Sequence, residues 1–152
     1  GMMFADAEEK GLMPFPEIVA TDMSANAIRR ARMARYSQFE IQRGMPIRLL
    51  LQWFEPEAEE WVAKRELISR LRFRQHNLAT DEPLAGRFDL ILCRNVLIYF
   101  GPEQKSRVLN RFANLLRPEG LLMLGAGETV IGQSAQLEPS ADFRGFYRTL
   151  IR

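Results

Sequence analysis

The chain has 152 residues, 47% apolar and 26% charged, which is the balance of one soluble globular domain and excludes a disordered tail, a collagen-like repeat and a disulfide scaffold. One cysteine, Cys93, and one histidine, His76, leave no internal disulfide and no Cys/His zinc set, so no metal site is expected. Net charge is only +2, yet 18 of the 21 basic residues are arginine, and the segment from Ile28 to Arg74 carries 11 basic against 6 acidic side chains, a surface suited to an acidic partner or simply a solvated helix face.

In chain order, residues 3–12 read as the end of a helix stopped near Gly11 and Pro14. Ile18 to Thr21 is a short, β-branched strand candidate between Pro16 and Asp22. Ser24 caps a helix that keeps its rhythm through Ala25, Ile28, Ala31 and Arg32 to about Ala34. Strand, acidic residue and capped helix make half of a βαβ unit. Pro46 can open a short helix through Leu49, Leu50 and Trp53. Trp61 to Lys64 and Leu71 to Gln75 alternate apolar and polar residues, which predicts a small antiparallel ribbon and a modest β insertion at about 50–75 within a domain spanning 1–152.

The second half is more regular. Phe88 to Cys93 is a nearly continuous apolar run, the pattern of a strand buried on both faces. Pro102 starts a helix with the stripe Val108, Leu109, Phe112, Leu115 and Leu116. Arg117 to Gly120 reads as a turn, Leu121 to Leu124 as the next strand, and Gly145 to Ile151 as a last one. Alternating strands and helices predict an α/β sheet with helices on both faces. The longest clean apolar run, Leu121–Leu124 extended by Gly125 and Ala126, is too short to cross a bilayer, and no charged-then-apolar leader opens the chain, so a cytoplasmic protein without membrane insertion is expected. The basic residues follow no nucleic-acid motif and are not interleaved with aromatics, so no nucleic-acid partner is expected.

Few side chains stand where chemistry would need them. Asp22 ends a strand just before a helix, where ligands bind in open α/β sheets; its carboxylate can accept from a ribose diol or can complement the helix dipole. Asn77 and Leu78 precede the turn Thr80-Asp81-Glu82-Pro83, and the amide could read an adenine edge or serve an ordinary turn. Cys93-Arg94-Asn95-Val96-Leu97-Ile98-Tyr99-Phe100 clusters an arginine, an asparagine and a tyrosine after an apolar strand, where a purely structural loop needs none of them. Arg94 offers a planar fork of donors for a carboxylate. No Gly-x-Ser-x-Gly elbow, Walker loop or Gly-x-Gly-x-x-Gly after a strand occurs; the nearest glycine cluster, Gly125-Ala126-Gly127, precedes Glu128. Cys93, inside an apolar strand, is a poor nucleophile.

Taken together, Ala20-Thr21-Asp22-Met23-Ser24, Tyr36-Ser37-Gln38-Phe39-Glu40, Arg72 to Leu78, and above all Cys93 to Phe100 resemble the CheR family of chemotaxis receptor protein-glutamate O-methyltransferases. Leu116-Arg117-Pro118-Glu119-Gly120 resembles the post-helix turn of class I methyltransferases, and Arg144-Gly145-Phe146-Tyr147-Arg148 the family's closing strand. The resemblance runs from about residue 3 to 152. It implies a class I, Rossmann-like α/β methyltransferase sheet and S-adenosylmethionine as cofactor, leaving S-adenosylhomocysteine as product. It implies that Asp22 holds the ribose hydroxyls, that Asn77 and Leu78 lie beside the adenine, and that Cys93, Arg94 and Asn95 follow the amino-acid end. Arg94 and Tyr99 are then nearest the reactive methyl and carry catalysis. The insertion corresponds to a small β-subdomain, and the partner would be the cytoplasmic helical region of a methyl-accepting chemoreceptor in signal transduction.

Family members also carry an N-terminal helical domain, a first strand and a loop resembling Gly-x-Ser-x-Gly-Glu-Glu-Pro-Tyr, none of which lies within residues 1–152. The resemblance thus implies a sheet lacking its central first strand, and with it unpaired edges and a homodimer. A non-catalytic partner-binding remnant of the same fold and a class I methyltransferase with a small-molecule substrate stand as alternatives.

Overall fold

A short helix, α1 (Met2–Glu9), opens the chain and ends at Lys10 and the left-handed Gly11 (φ +67°). The computed structural model describes residues 1–150, and the chain divides into two units, Gly1–Asn77 and Leu78–Arg152. After α1, the first unit continues with β1 (Ile18–Asp22) and α2 (Ala25–Met33). Ser24 caps α2 as its position suggests, Oγ accepting the Ala27 N–H at 3.2 Å, and Ile28 is its buried anchor. The left-handed Ala34 then turns the chain into β2 (Arg35–Ser37) and α3 (Gln38–Ile41), the latter opened by a Ser37–Glu40 capping box. Next come α4 (Ile47–Trp53), β3 (Phe54–Glu57), β4 (Glu60–Ala63), α5 (Arg65–Ile68) and β5 (Leu71–Gln75). Ala5, Ile41, Leu50, Trp53, Phe54 and Leu67 form the core beneath these helices.

Strand pairing in this unit corrects the sequence expectation at one point. Leu71 to Gln75 does not join the antiparallel ribbon of Trp61 to Lys64; β5 pairs in parallel with β1, from Ile18 opposite Leu71 to Asp22 opposite Gln75. The antiparallel sheet has the order β2-β4-β3 and draws its third strand from Arg35–Ser37. A half-covered strand alternates in either kind of sheet, so the period of two carried no information about the partner.

The second unit contains β6 (Phe88–Cys93), a 3₁₀ turn at Leu97–Tyr99, α6 (Pro102–Leu115), β7 (Leu116–Leu124), β8 (Leu137–Pro139) and β9 (Phe146–Thr149). Its sheet has the order β6-β7-β9-β8, parallel between β6 and β7 and antiparallel beyond. One apolar face of α6, Val108, Leu109, Phe112 and Ala113, packs with Leu122, Leu124 and Leu137 of the sheet. Leu116 belongs to β7 rather than to the helical stripe, and the last strand stops at Thr149; Ile151 lies outside the described residues. The expected turn at Arg117–Gly120 is a bulge inside β7: Phe88 faces Leu116, but Leu90 faces Leu121.

Gly120 makes that bulge possible. A Cβ there would sit 2.9 Å from the Phe88 carbonyl oxygen and 3.0 Å from two backbone atoms of Arg117, none of which can swing aside. Gly120→Ala is expected to cost about 1–3 kcal/mol, the range of an overpacked site, read as a lower denaturant midpoint. An unchanged midpoint would show that the bulge relaxes freely.

β6 is not covered on both faces, as its apolar run had suggested. Ile91 and Cys93 face the core under α6, whereas Leu90 is 37% and Leu92 62% exposed. Apolar character on alternate residues shows what a strand could bury, not what lies over it. Among the described residues β1 pairs only with β5 and β6 only with β7, so each has a second edge without a strand.

Candidate functional site

β1 and β5 run in parallel, so their carboxyl ends fall together, and the Asp22 carbonyl accepts the His76 N–H at 2.9 Å, closing the pair just before Asn77. Asp22 is exposed; its Oδ1 accepts the Ser24 N–H at 2.7 Å, which steers the carboxylate over the entrance to α2. An exposed carboxylate held at a strand end fits a ribose diol, because it retains acceptor capacity beyond that bond. Asp22 and Asn77 thus share one end of the first unit.

Leu78, Cys93, Arg94, Asn95 and Tyr99 lie in the second unit. The carbonyl of Leu78 and that of Asp81 both accept from Arg111 of α6, each at 3.0 Å, which ties the 78–81 turn to the helix. Cys93, opposite Leu124, is buried, and burial, with the Glu128 carboxylate second, pushes its thiol up to about 12, so it is no nucleophile at neutral pH. Arg94 and Asn95 are exposed beyond the strand, and Asn95 adopts the left-handed region (φ +58°), one that asparagine tolerates better than most residues. Leu97, 2% exposed, pins the 3₁₀ turn to the core, and Tyr99 on the same turn is 81% exposed. Buried Cys93 and Leu97 therefore anchor a segment at the carboxyl end of β6 that presents Arg94, Asn95 and Tyr99.

The residue that sequence reasoning passed over is Glu128. Its Oε2 accepts the N–H groups of Asn95 (2.9 Å) and Gly125 (2.7 Å), and its Oε1 those of Val96 (3.0 Å) and Leu97 (2.7 Å). Burial alone would raise this carboxyl; the four donors outweigh it and hold Glu128 below the ordinary carboxylate value. The stabilisation is complete above the ordinary 4.5 and is lost as pH falls through the lower folded value. Gly125 belongs to the same arrangement, since a Cβ there would come within 2.5 Å of Asn95 Oδ1 and 2.7 Å of Glu128 Oε2. The signal in the sequence was a Gly-x-Gly-Glu after a strand, which resembles no familiar motif.

The basic stretch is also less available than its count suggested. Arg30, Arg35, Arg48, Arg70 and Arg72 form ion pairs with Glu40, Glu57 and Glu60, Asp6, Glu8 and Glu17 respectively. Arg29 and Arg32 line an open groove between α2 and Gln75.

The family model for the CheR methyltransferase, SAM binding domain, matches residues 1–144. The chain belongs to the CheR methyltransferase family. A chemotaxis protein methyltransferase of Vibrio parahaemolyticus is 40% identical over 129 residues, 84% of this chain and 47% of that protein. Chemotaxis protein methyltransferase 1 of Vibrio cholerae is 38% identical over 140 residues, 90% of this chain and 51% of that protein. Chemotaxis protein methyltransferase Cher2 of Pseudomonas putida is 38% identical over 117 residues, 76% of this chain and 42% of that protein. The chain spans about half the length of the curated relatives it matches. Membership of the CheR family gives the α/β units described above the class I methyltransferase fold and S-adenosylmethionine as the family's cofactor. No helix among the described residues is long and apolar enough to cross a membrane, and no group of three or more acidic, histidine or cysteine side chains among them could hold a metal ion.

Proposed function

We propose that this chain carries the cofactor-binding and methyl-transferring part of a cytoplasmic protein-glutamate O-methyltransferase whose substrate is the helical, methyl-accepting region of a chemoreceptor. The observation that carries the reading is the segment Arg94–Tyr99, fixed at the carboxyl end of a parallel strand with Arg94, Asn95 and Tyr99 exposed, in a chain of this family. Asp22 would hold the ribose hydroxyls, Asn77 and Leu78 would flank the adenine, and Cys93, Arg94 and Asn95 would line the amino-acid end. When bound, the cofactor supplies a methyl group on a sulfonium. Arg94 would orient the acceptor carboxylate, and Tyr99 would close over it and help exclude water. A glutamate with a pKa near ~4.3 is already ionised at neutral pH, so the displacement requires no general base, and alignment alone can supply roughly 7–11 kcal/mol. This accounts for a site without a histidine or a carboxylate pair. The β2-β4-β3 sheet would be the small β-subdomain, within one methyltransferase domain spanning 1–152. Arg29 and Arg32 would face the acidic receptor helices. The open edge of β6 supports a homodimer.

Calorimetry with S-adenosylhomocysteine tests the reading. Binding weaker than low micromolar is expected, because residues 1–152 contain no glycine-rich loop to close the methionine pocket. Asp22→Ala should remove it. Binding unaffected by Asp22→Ala would overturn the assignment of the ribose site.

A further inference from the structure

Arg94 to Val96 have no regular structure of their own, and the three successive N–H groups of Asn95, Val96 and Leu97, the last opening the 3₁₀ turn, all point at one carboxylate. Successive backbone amides that include a left-handed residue form a concave anion-binding nest. Here the anion is internal: Glu128, brought opposite by the pairing of Cys93 with Leu124 and tied to β7 through the Gly125 N–H. We propose that Glu128 is the positioning residue of this loop, its carboxylate locking the one backbone conformation in which Arg94 and Asn95 project from the end of β6. The inference rests on the proposed role of Arg94 and Asn95 at the amino-acid end of the cofactor.

Three features make the lock specific to a carboxylate. Each oxygen accepts two donors, so all four N–H groups are satisfied by one side chain. Glutamine, identical in shape, must turn its NH₂ toward two N–H donors whichever way it flips, leaving them unsatisfied in a buried place. Aspartate is a methylene shorter and cannot span from residue 128 to both strand ends. Gly125 is confined by the same contacts, its Cβ position lying 2.9 Å from the Asn95 nitrogen. Among the described residues the carboxylate's hydrogen bonds all go to backbone N–H groups and none to the side chains of Arg94 or Tyr99, so its influence on them runs through the backbone.

The experiment is Glu128→Gln in this chain, with S-adenosylhomocysteine and adenosine titrated separately by NMR. Affinity for S-adenosylhomocysteine should fall roughly tenfold or more, as expected when a binding loop loses its preorganisation, while affinity for adenosine, which lacks the amino-acid end, stays unchanged. An equal fall for both ligands marks a general structural defect and overturns the proposal, as does an unchanged S-adenosylhomocysteine affinity. Amide hydrogen exchange in the unmodified chain gives a second measurement that does not depend on the variant folding. The amides of Asn95, Val96, Leu97 and Gly125 should exchange roughly 100-fold or more below unprotected rates; unprotected exchange at these four overturns the lock. If the unmodified chain binds no S-adenosylhomocysteine, the proposed function fails instead, and the exchange rates alone then judge the lock.

Discussion

Arg94→Ala is expected to lower the proposed methyl transfer to receptor glutamates by about 100-fold or more, the scale of a lost alignment, while stability should move by no more than about 0.5 kcal/mol, as for other surface positions. The asymmetry follows from where the residue stands. Arg94 is exposed, one position beyond a strand whose last residue, Cys93, is buried, so the core does not depend on its side chain. Its guanidinium is a rigid fork matched to a carboxylate, and an in-line displacement depends steeply on how the acceptor oxygen meets the methyl carbon. Lysine should not restore turnover, since a single ammonium cannot hold a carboxylate through two parallel bonds. Tyr99→Phe should act in the same direction but less strongly, through loss of one hydroxyl. The measurement is transfer of labelled methyl to a receptor fragment, on a chain completed to the length of the curated relatives, beside a melting curve for each variant. Wild-type turnover in both variants would remove Arg94 and Tyr99 from the site.

Residues 1–152 by themselves are expected to dimerise as concentration rises, and Leu92→Lys is expected to return them to monomers. β6 has β7 on one side and no strand on the other among the described residues, and Leu92, in its last turn of pleat, is 62% exposed. Unpaired backbone donors and acceptors beside apolar side chains are a template for another strand. A second copy satisfies both needs at once: two β6 edges related by a two-fold axis pair antiparallel, and each buries the other's Leu90 and Leu92. A lysine at position 92 opposes this, because edge lysines block further pairing. Light scattering over a concentration series reads the outcome; a monomer at every concentration, with a cooperative melt, would show that the β6 edge is satisfied within one chain.

Much of this protein was legible in local sequence. Ser24 after a β-branched strand specified the α2 cap, Pro102 and the stripe from Val108 to Phe112 specified α6, and the polar cluster at Arg94 to Tyr99 after an apolar strand marked the presented segment. These are consequences of residues within a few positions of one another, where hydrogen-bond capacity and period settle the matter. What tertiary structure decided lies across longer separations. Leu71 to Gln75 found β1, more than fifty residues away in sequence, because alternation marks a half-covered strand and not its neighbour. Leu90 and Leu92 are exposed because nothing in the described second unit covers the face of β6 opposite α6, and an apolar run cannot announce its cover. Glu128 became meaningful only when the parallel register set Cys93 beside Leu124 and so brought its carboxylate to three amides some thirty residues earlier. Backbone N–H groups are present at every non-proline residue and leave no trace in composition; which of them converge on one buried anion is a property of the fold alone.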